Sequence, residues 1–235
     1  MYTLVIKNAS VIDGTGNAPY LADIGIHEGK IQAIGHGLSD GLQTIDASGL
    51  TVSPGFIDSH SHSDRTVVTF PDQKEKVEQG ITFAITGQCG SSATPSVRAD
   101  EKTIETPTEY FHKVKEIPQG SHSAMLIGHI SLRRAVMGKE NRAPSTEELE
   151  RMKDLLREGL KAGAIGMSLG LFYAPGAYAK IDEVISLAKV VHDHGGVISA
   201  IMQYCFPDEG KHLYEWQPKN GHGYLLSNGT YQAIP

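Results

Sequence analysis

Residues 145–169 read Ser145-Thr-Glu-Glu-Leu-Glu-Arg-Met-Lys-Asp-Leu-Leu-Arg-Glu-Gly-Leu-Lys-Ala-Gly163-Ala-Ile-Gly-Met-Ser-Leu169. Ser145 with Glu148 three positions on is a capping box, in which each side chain satisfies a backbone N–H left open at the start of a helix. Leu149, Met152, Leu155, Leu156 and Leu160 then recur at helical spacing and form one apolar stripe. The charges between them, over residues 147–161, predict a solvated outer face. Gly163 stands where a left-handed residue closes a helix, and residues 164–169 return to apolar strand character. A helix passing straight into a strand is one beat of a βα repeat.

The same beat extends in both directions. Downstream, Ile181, Val184, Ile185, Ala188 and Val191 keep helical spacing, Gly195-Gly196 stop it, and residues 197–201 follow as a strand. Upstream, Phe56-Ile57 leads into a strand, residues 73–79 predict a helix that Gly80 ends, and residues 81–86 and 123–128 read as strands. Alternating strands and helices imply an α/β fold with a parallel sheet, and the rhythm fits a barrel and an open doubly wound sheet equally. Before Pro54 the pattern differs. Ile24 and Ile26 alternate with Gly25 and His27, the chain turns at Glu28-Gly29, and Ile31 and Ala33 resume the alternation. With Leu4-Val5-Ile6 and Val11-Ile12 as further strand material, residues 1–53 are expected to form a small β layer apart from a βα region over 54–200. Residues 201–235, with Tyr214, Trp216, Tyr224 and Tyr231 among glycines and prolines, break the rhythm and are expected to be an atypical, truncated or frame-altered tail.

Charge and composition exclude several classes. A net charge of −6 argues against a phosphate-backbone binder, which needs a basic surface. No apolar run reaches the ~18 residues of a membrane span. Met1-Tyr-Thr-Leu-Val-Ile-Lys7 lacks the basic start and long apolar stretch of a signal peptide. Cys89 and Cys205, the 2 cysteines of the chain, cannot build a disulfide framework. The expectation is a cytoplasmic protein with no nucleic-acid or membrane partner; nothing in the pattern specifies an oligomeric state.

Pro54-Gly-Phe-Ile-Asp-Ser-His60-Ser-His62 is the first candidate site. Residues two apart on a strand point the same way and lie about 6–7 Å apart, so two imidazoles can converge on one metal ion. His192-Asp-His194 has the same spacing, but it ends a predicted helix, where residues two apart diverge; that pair is expected to sit as favourable charge at a helix C-terminus. Cys89, in Thr86-Gly-Gln-Cys-Gly-Ser-Ser92, follows the strand over residues 81–86. A free cysteine is usually a small buried residue, a nucleophile needs a nearby base, and a metal thiolate needs neighbouring ligands. Neighbouring parallel strands would bring Cys89 and the His60–His62 pair to one edge, where α/β active sites form.

These segments together resemble the amidohydrolase superfamily, and within it the D-aminoacylase (N-acyl-D-amino-acid deacylase) group. Residues 54–62 are similar to the metal-binding signature of the first barrel strand, and Gly87-Gln-Cys-Gly90 to the second-strand loop of this branch. Gly128-His-Ile-Ser-Leu-Arg133 and Gly166-Met-Ser-Leu-Gly-Leu-Phe-Tyr173-Ala-Pro-Gly176 also look like it. The resemblance implies a partial (β/α)8 TIM-type barrel preceded by the N-terminal half of a small β-sandwich. It implies Zn2+ as cofactor, with His60, His62 and Cys89 as metal residues, the cysteine bridging where many relatives use a carboxylated lysine. It implies hydrolysis of the linear amide of an N-acyl-D-amino acid, a small-molecule substrate, to a D-amino acid and a carboxylate. Tyr173 is a candidate substrate contact or an aromatic lid, His129 a residue behind a ligand or a packed histidine, and Asp64 a group orienting a histidine or starting a helix.

Departures from the pattern shape the functional expectation. Ile201 stands where the resemblance expects a histidine, and the sixth-strand histidine and the general-base aspartate have no counterpart within the 235 residues. His212 and His222 are weak candidates as substitutes. The expectation is therefore a deacylase by family whose 235-residue chain has little activity of its own. A hydantoinase- or dihydroorotase-like cyclic amidase and an inactive fragment acting only by association remain alternatives.

Overall fold

The computed structural model describes residues 1–97 and 104–200 in full and, beyond them, the backbone of three short strands. The chain divides into two compact units, Met1–Phe56 and Ile57–Pro235.

The first unit is one mixed sheet of β1 (Leu4–Val11), β2 (Tyr20–His27), β3 (Lys30–Gly35), β4 (Gln43–Asp46) and β5 (Thr51–Val52). The order is β3-β2-β1-β4, with β5 also on β1. β2 and β3 form the expected hairpin, closed by Glu28 and Gly29 with φ of 49° and 72°, the left-handed pair a two-residue turn requires. Its register departs from simple alternation. A shift after Gly25 sets Ile26 against Ile31 and Ile24 against Ile34, while Ala33 pairs with Gly25 and faces the other way. Ile6 lies opposite both Ile24 and Ile45, so one cross-strand row runs Ile34–Ile24–Ile6–Ile45. Ala9, Val11, Ala22, Ile24 and Ala47 form the buried core of this layer, whereas Ile31, Ile34 and Ile45 stay 63%, 46% and 49% exposed along its flanks.

The second unit carries the βα rhythm. Its described elements are β6 (Phe56–Asp58, which begins on the last residue of the first unit), α1 (Lys74–Val77), β7 (Ile81–Thr86), β8 (Ser96–Val97), β9 (Ile104–Glu105), α2 (Pro107–Lys115), β10 (His122–Gly128), α3 (His129–Met137), α4 (Thr146–Ala162), β11 (Gly166–Leu169), α5 (Ile181–Asp193) and β12 (Val197–Ala200). β7, β10, β11 and β12 pair in parallel, and the sheet order is β12-β11-β10-β7-β6. Spatial order thus follows chain order without reversal. A doubly wound sheet reverses at a switch point; the monotonic order is that of a partial (β/α)8 barrel, which resolves the choice the rhythm left open. α4 begins on the expected capping box, Ser145 Oγ accepting from Glu148 N at 3.2 Å and Glu148 Oε2 from Ser145 N at 2.7 Å. Its Met152, Leu155 and Leu156 pack with Met125 and Ile127 of β10, Met167 and Leu169 of β11, and Leu187, Val190 and Val191 of α5 in one core. Gly159 lets α4 approach β10, because a Cβ there would lie 2.7 Å from the Ile127 side chain.

A short antiparallel meander follows, β13 (Trp216–Lys219), β14 (His222–Ser227) and β15 (Thr230–Ala233). Ile201, Cys205, His212 and the side chain of His222 lie outside the described residues. No described helix is long and apolar enough to cross a membrane.

Candidate metal centre

β6 ends at Asp58, so His60 and His62 stand beyond it, in a bend that runs into a single 3-10 turn over Ser63–Arg65. Strand spacing is therefore not what sets the two rings. Asp58 and its partners hold the backbone that leads into them. Its carboxylate accepts from His60 N at 3.2 Å and from Lys76 Nζ at 2.6 Å, and Lys76 also donates to Ser61 Oγ at 2.9 Å. Ser61 N donates to Ile85 O of β7 at 3.0 Å, tying the segment to the next strand. The two imidazole rings end 5.9 Å apart, edge to face at 76°. Partial burial works to raise the Asp58 pKa, but the Lys76 ammonium and the His60 N–H outweigh it, and the group stays ionised below the ordinary carboxylate range.

Cys89 lies in the loop after β7, with a φ of 57°. Left-handed backbone is costly for a residue with a Cβ, roughly 1–2 kcal/mol, so the surroundings must hold it. Gly87 and Gly90 flank it at φ of 70° and 72°. A Cβ on Gly87 would stand 2.1 Å from Leu126 O, and one on Gly90 would stand 2.6 Å from Gly170 N. The loop is thus laid backbone-to-backbone onto the ends of β10 and β11. Gly87 N donates to Asp64 Oδ1 at 3.2 Å, Gly90 N to Ser168 Oγ at 3.0 Å, and Ile130 N of α3 to Gly90 O at 2.7 Å.

The outcome is one cluster. Cys89 Sγ is 3.1 Å from His60 Nε2 and 3.4 Å from His62 Nε2, and the three ligand atoms lie within 4.8 Å of one another. Tetrahedral zinc, with Zn–S about 2.3 Å and Zn–N about 2.0–2.1 Å, separates sulfur and nitrogen donors by about 3.5 Å. Two imidazoles and a thiol at these separations fit such a cation. Among the described residues this is the group of three or more His, Cys, Asp or Glu side chains close enough to share an ion. Burial pushes the Cys89 thiol up from its ordinary value, so the sulfur keeps its proton at neutral pH until a cation replaces it.

The other candidates fall elsewhere. His129, fully buried at the start of α3, places Nε2 2.7 Å from Glu183 Oε1. Glu183 Oε2 also accepts from Arg133 Nη1, so the histidine belongs to a buried His–Glu–Arg group joining α3 to α5. Burial works to raise the Glu183 pKa, but His129 and Arg133 hold it below its ordinary value. Among the described residues the Asp64 carboxylate bonds to no histidine: it accepts from Gly87 N and, at 2.7 Å, from Ala93 N. Burial pushes its pKa up, against the pull of those two N–H groups. Tyr173, past the end of β11, is 44% exposed and packs edge-to-face on Phe172 at 5.5 Å. Gly170 sits between its ring and the Cys89 carbonyl, since a Cβ there would meet Cys89 O at 2.1 Å and Tyr173 Cδ2 at 3.3 Å. His192 and His194 close α5 as expected, His194 Nδ1 lying 2.9 Å from Val190 O. Ser168, read from the sequence only as a strand residue, bonds to both Gly87 and Gly90; a serine in an apolar strand carries no local signal of that role.

The comparisons with known proteins agree on one family. The profile of the amidohydrolase family matches residues 43–204. The chain is 35% identical over 226 residues to a D-aminoacylase of Alcaligenes xylosoxydans xylosoxydans, covering 90% of this chain and 46% of that protein. A solved D-aminoacylase, studied for its binuclear metal centre, superposes with a TM-score of 0.79 at 33% identity, over 87% of this chain and 46% of the other. The N-acyl-D-glutamate deacylase of Bordetella bronchiseptica, solved with zinc and a phosphonate mimic of the tetrahedral intermediate, gives 0.80 at 35% identity, over 86% and 45%. The chain therefore spans about half the length of these relatives. By profile, sequence and structure alike, it is a member of the amidohydrolase family.

Proposed function

We propose that this chain carries the first-strand and second-strand metal residues of a zinc-dependent deacylase that hydrolyses the linear amide of N-acyl-D-amino acids. The observation that carries the proposal is the meeting of Cys89 Sγ with His60 and His62 Nε2 where β6 and β7 end. His60 and His62 would offer neutral imidazole lone pairs, and Cys89 a thiolate once its proton has left. A zinc ion held by these residues would supply Lewis-acid activation of an amide carbonyl and of a water. Asp58 and Lys76 would hold the His60–Ser61 backbone in place, and the glycines of the Cys89 loop keep backbone, rather than side chains, against the neighbouring strand ends. Tyr173, half-exposed in the loop after β11, would contact the substrate. The cluster contains no carboxylate, so the group that shuttles the proton to the departing amine, a step usually contributing about 10²–10⁴-fold, has to come from outside it.

The test is to load the chain with zinc, and beside it a chimera extended with the remaining length of the Alcaligenes D-aminoacylase. D-amino acid release is then followed from N-acetyl-D-methionine and N-acetyl-D-glutamate. The chimera should release D-amino acid, lose that activity on Cys89→Ala, and spare the L-enantiomers. A chimera that ignores the Cys89 substitution, or prefers a cyclic amide such as dihydrouracil, would sink the proposal.

A further inference from the structure

The thiol of the metal cluster rests on a backbone that would not hold this shape unaided. We propose that Ser168 is the positioning residue that keeps Cys89 Sγ against His60 and His62, its one hydroxyl tying together both ends of the 87–90 loop. The inference rests on the metal reading above.

Ser168 lies on β11, fully buried. Its Oγ donates to Gly87 O at 2.5 Å and accepts from Gly90 N at 3.0 Å. The hydroxyl has one proton, and that proton is committed to the residue two before Cys89; its lone pair takes the N–H of the residue after it. The flanking peptides are fixed from both sides, so the left-handed turn at Cys89 is the conformation left to the chain between them. The neighbouring strands complete the floor. Register places Ser168 beside Gly128 of β10 and Ser199 of β12. A Cβ on Gly128 would stand 2.5 Å from Gly90 O, so the loop needs bare backbone there. Ser199 Oγ donates to Gln88 Oε1 at 2.8 Å, and Gln88 Nε2 donates to Ser59 O at 3.1 Å, next to His60. Three adjacent strand ends therefore present a glycine and two serines to the loop, and among the described residues Ser168 is the side chain that bonds its backbone on both sides of Cys89. Without that hydroxyl, a buried N–H and a buried carbonyl lose their partner, and the loop can regain both only by turning, which carries Sγ away from the imidazoles.

The test uses the full 235-residue chain and cobalt(II) as probe, because cobalt reports its ligands: a thiolate gives a near-ultraviolet charge-transfer band, and imidazoles alone do not. The unsubstituted chain should show the band on titration. Ser168→Ala should lose most of it and bind cobalt and zinc about 10–100-fold more weakly, the usual cost of removing a group that holds a ligand. Val190→Ala, a core substitution in α5 away from the loop, should keep both. Ser168→Thr and Ser168→Val share a shape and differ in the hydroxyl, so the threonine variant should retain the band and the valine variant lose it. That pair decides the matter if Ser168→Ala does not fold. A full band in Ser168→Ala, equal bands in the Thr and Val variants, or equal loss in Val190→Ala overturns the inference alone. No thiolate band in the unsubstituted chain overturns the metal reading and this inference with it.

Discussion

Lys76 Nζ stands 2.6 Å from Asp58 Oδ2, directly under the segment that carries His60 and His62. The lysine side chain is 9% exposed and the aspartate 27%, so neither group is freely solvated. The pair spans from the end of β6 to α1, and through His60 N and Ser61 Oγ it holds two consecutive residues of the metal segment. Lys76→Met keeps most of the apolar stem and removes the charge, leaving Asp58 partly buried without its cation. The expected cost is about 1–3 kcal/mol at pH 7. Because the folded Asp58 pKa is depressed below 3.8, the pair's contribution is complete above that value and fades as pH falls through the lower folded one. Urea melts of the two proteins should therefore converge at strongly acidic pH. A gap that stays constant with pH would show that the lysine acts through packing alone.

The fully buried His129–Glu183–Arg133 group between α3 and α5 should behave more severely. Arg133 and His129 are both 0% exposed and share Glu183. Glu183→Gln leaves Arg133 charged and buried without a counter-charge, which typically costs about 3–5 kcal/mol. Glu183 titrates below 4.5 in the folded state, so this advantage over the glutamine variant is lost as pH falls through that depressed value. Denaturant midpoints at pH 7 and at acid pH would show it. A loss under 1 kcal/mol at pH 7 would mean that the triad is relaxed by water.

What the sequence made legible, and what it did not, follows from how local each cause is. Ser145 and Glu148 interact within one turn, and Met152, Leu155 and Leu156 bury a single stripe, so α4 is written in its own residues. α3 is not: His129, Ile130, Ser131, Leu132, Arg133 and Met137 are all buried, which leaves no polar face for a period to reveal, and Gly128 supplies no side-chain cap. Thr106 and Glu109 form a capping box for α2, yet only Pro107 and Tyr110 are buried behind it, too short a stripe to read as helical. In the first unit the register shift that turns Ile34 rather than Ala33 toward Ile24 depends on pairing, not on alternation within β3. At the candidate site, residue types and neighbouring parallel strands were enough to bring His60, His62 and Cys89 together on paper. The geometry that does it was not readable, because the glycines flanking the left-handed Cys89 bond to Asp64 and Ser168, which lie on other elements.

The two glycines Gly29 and Gly87 separate conformational cost from crowding. Both have positive φ, 72° and 70°. A Cβ on Gly29 would meet nothing within 4 Å, whereas one on Gly87 would stand 2.1 Å from Leu126 O. Gly29→Ala should cost only the left-handed backbone term, roughly 1–2 kcal/mol, and leave the metal cluster intact. Gly87→Ala must displace either its own loop or β10, and should cost clearly more while weakening metal binding. Equal thermal midpoints for the two variants would show that the loop has room that the backbone contacts deny.

Metal binding should appear as stability, because ligands brought together from two separate segments of the chain exist as a site only in the folded state. Zinc at about 100 times its Kd should stabilise the fold by about 2.7 kcal/mol. For a unit of this size that corresponds to a rise in midpoint of about 5–10 °C. A chelator should reverse the rise, and Cys89→Ala, which deletes the Sγ lying 3.1 Å and 3.4 Å from the two imidazoles, should remove most of it. The dependence on pH has a definite sign. Coordination needs neutral imidazoles and a thiolate, and burial raises the Cys89 pKa, so protons compete with the metal at every ligand. The zinc-induced rise should therefore shrink steadily from mildly alkaline to mildly acidic solution. Calorimetric scans with and without zinc across that range would measure it. A rise that is unchanged by Cys89→Ala, or flat with pH, would mean that zinc binds at some other surface and that the His60–His62–Cys89 cluster is not its site.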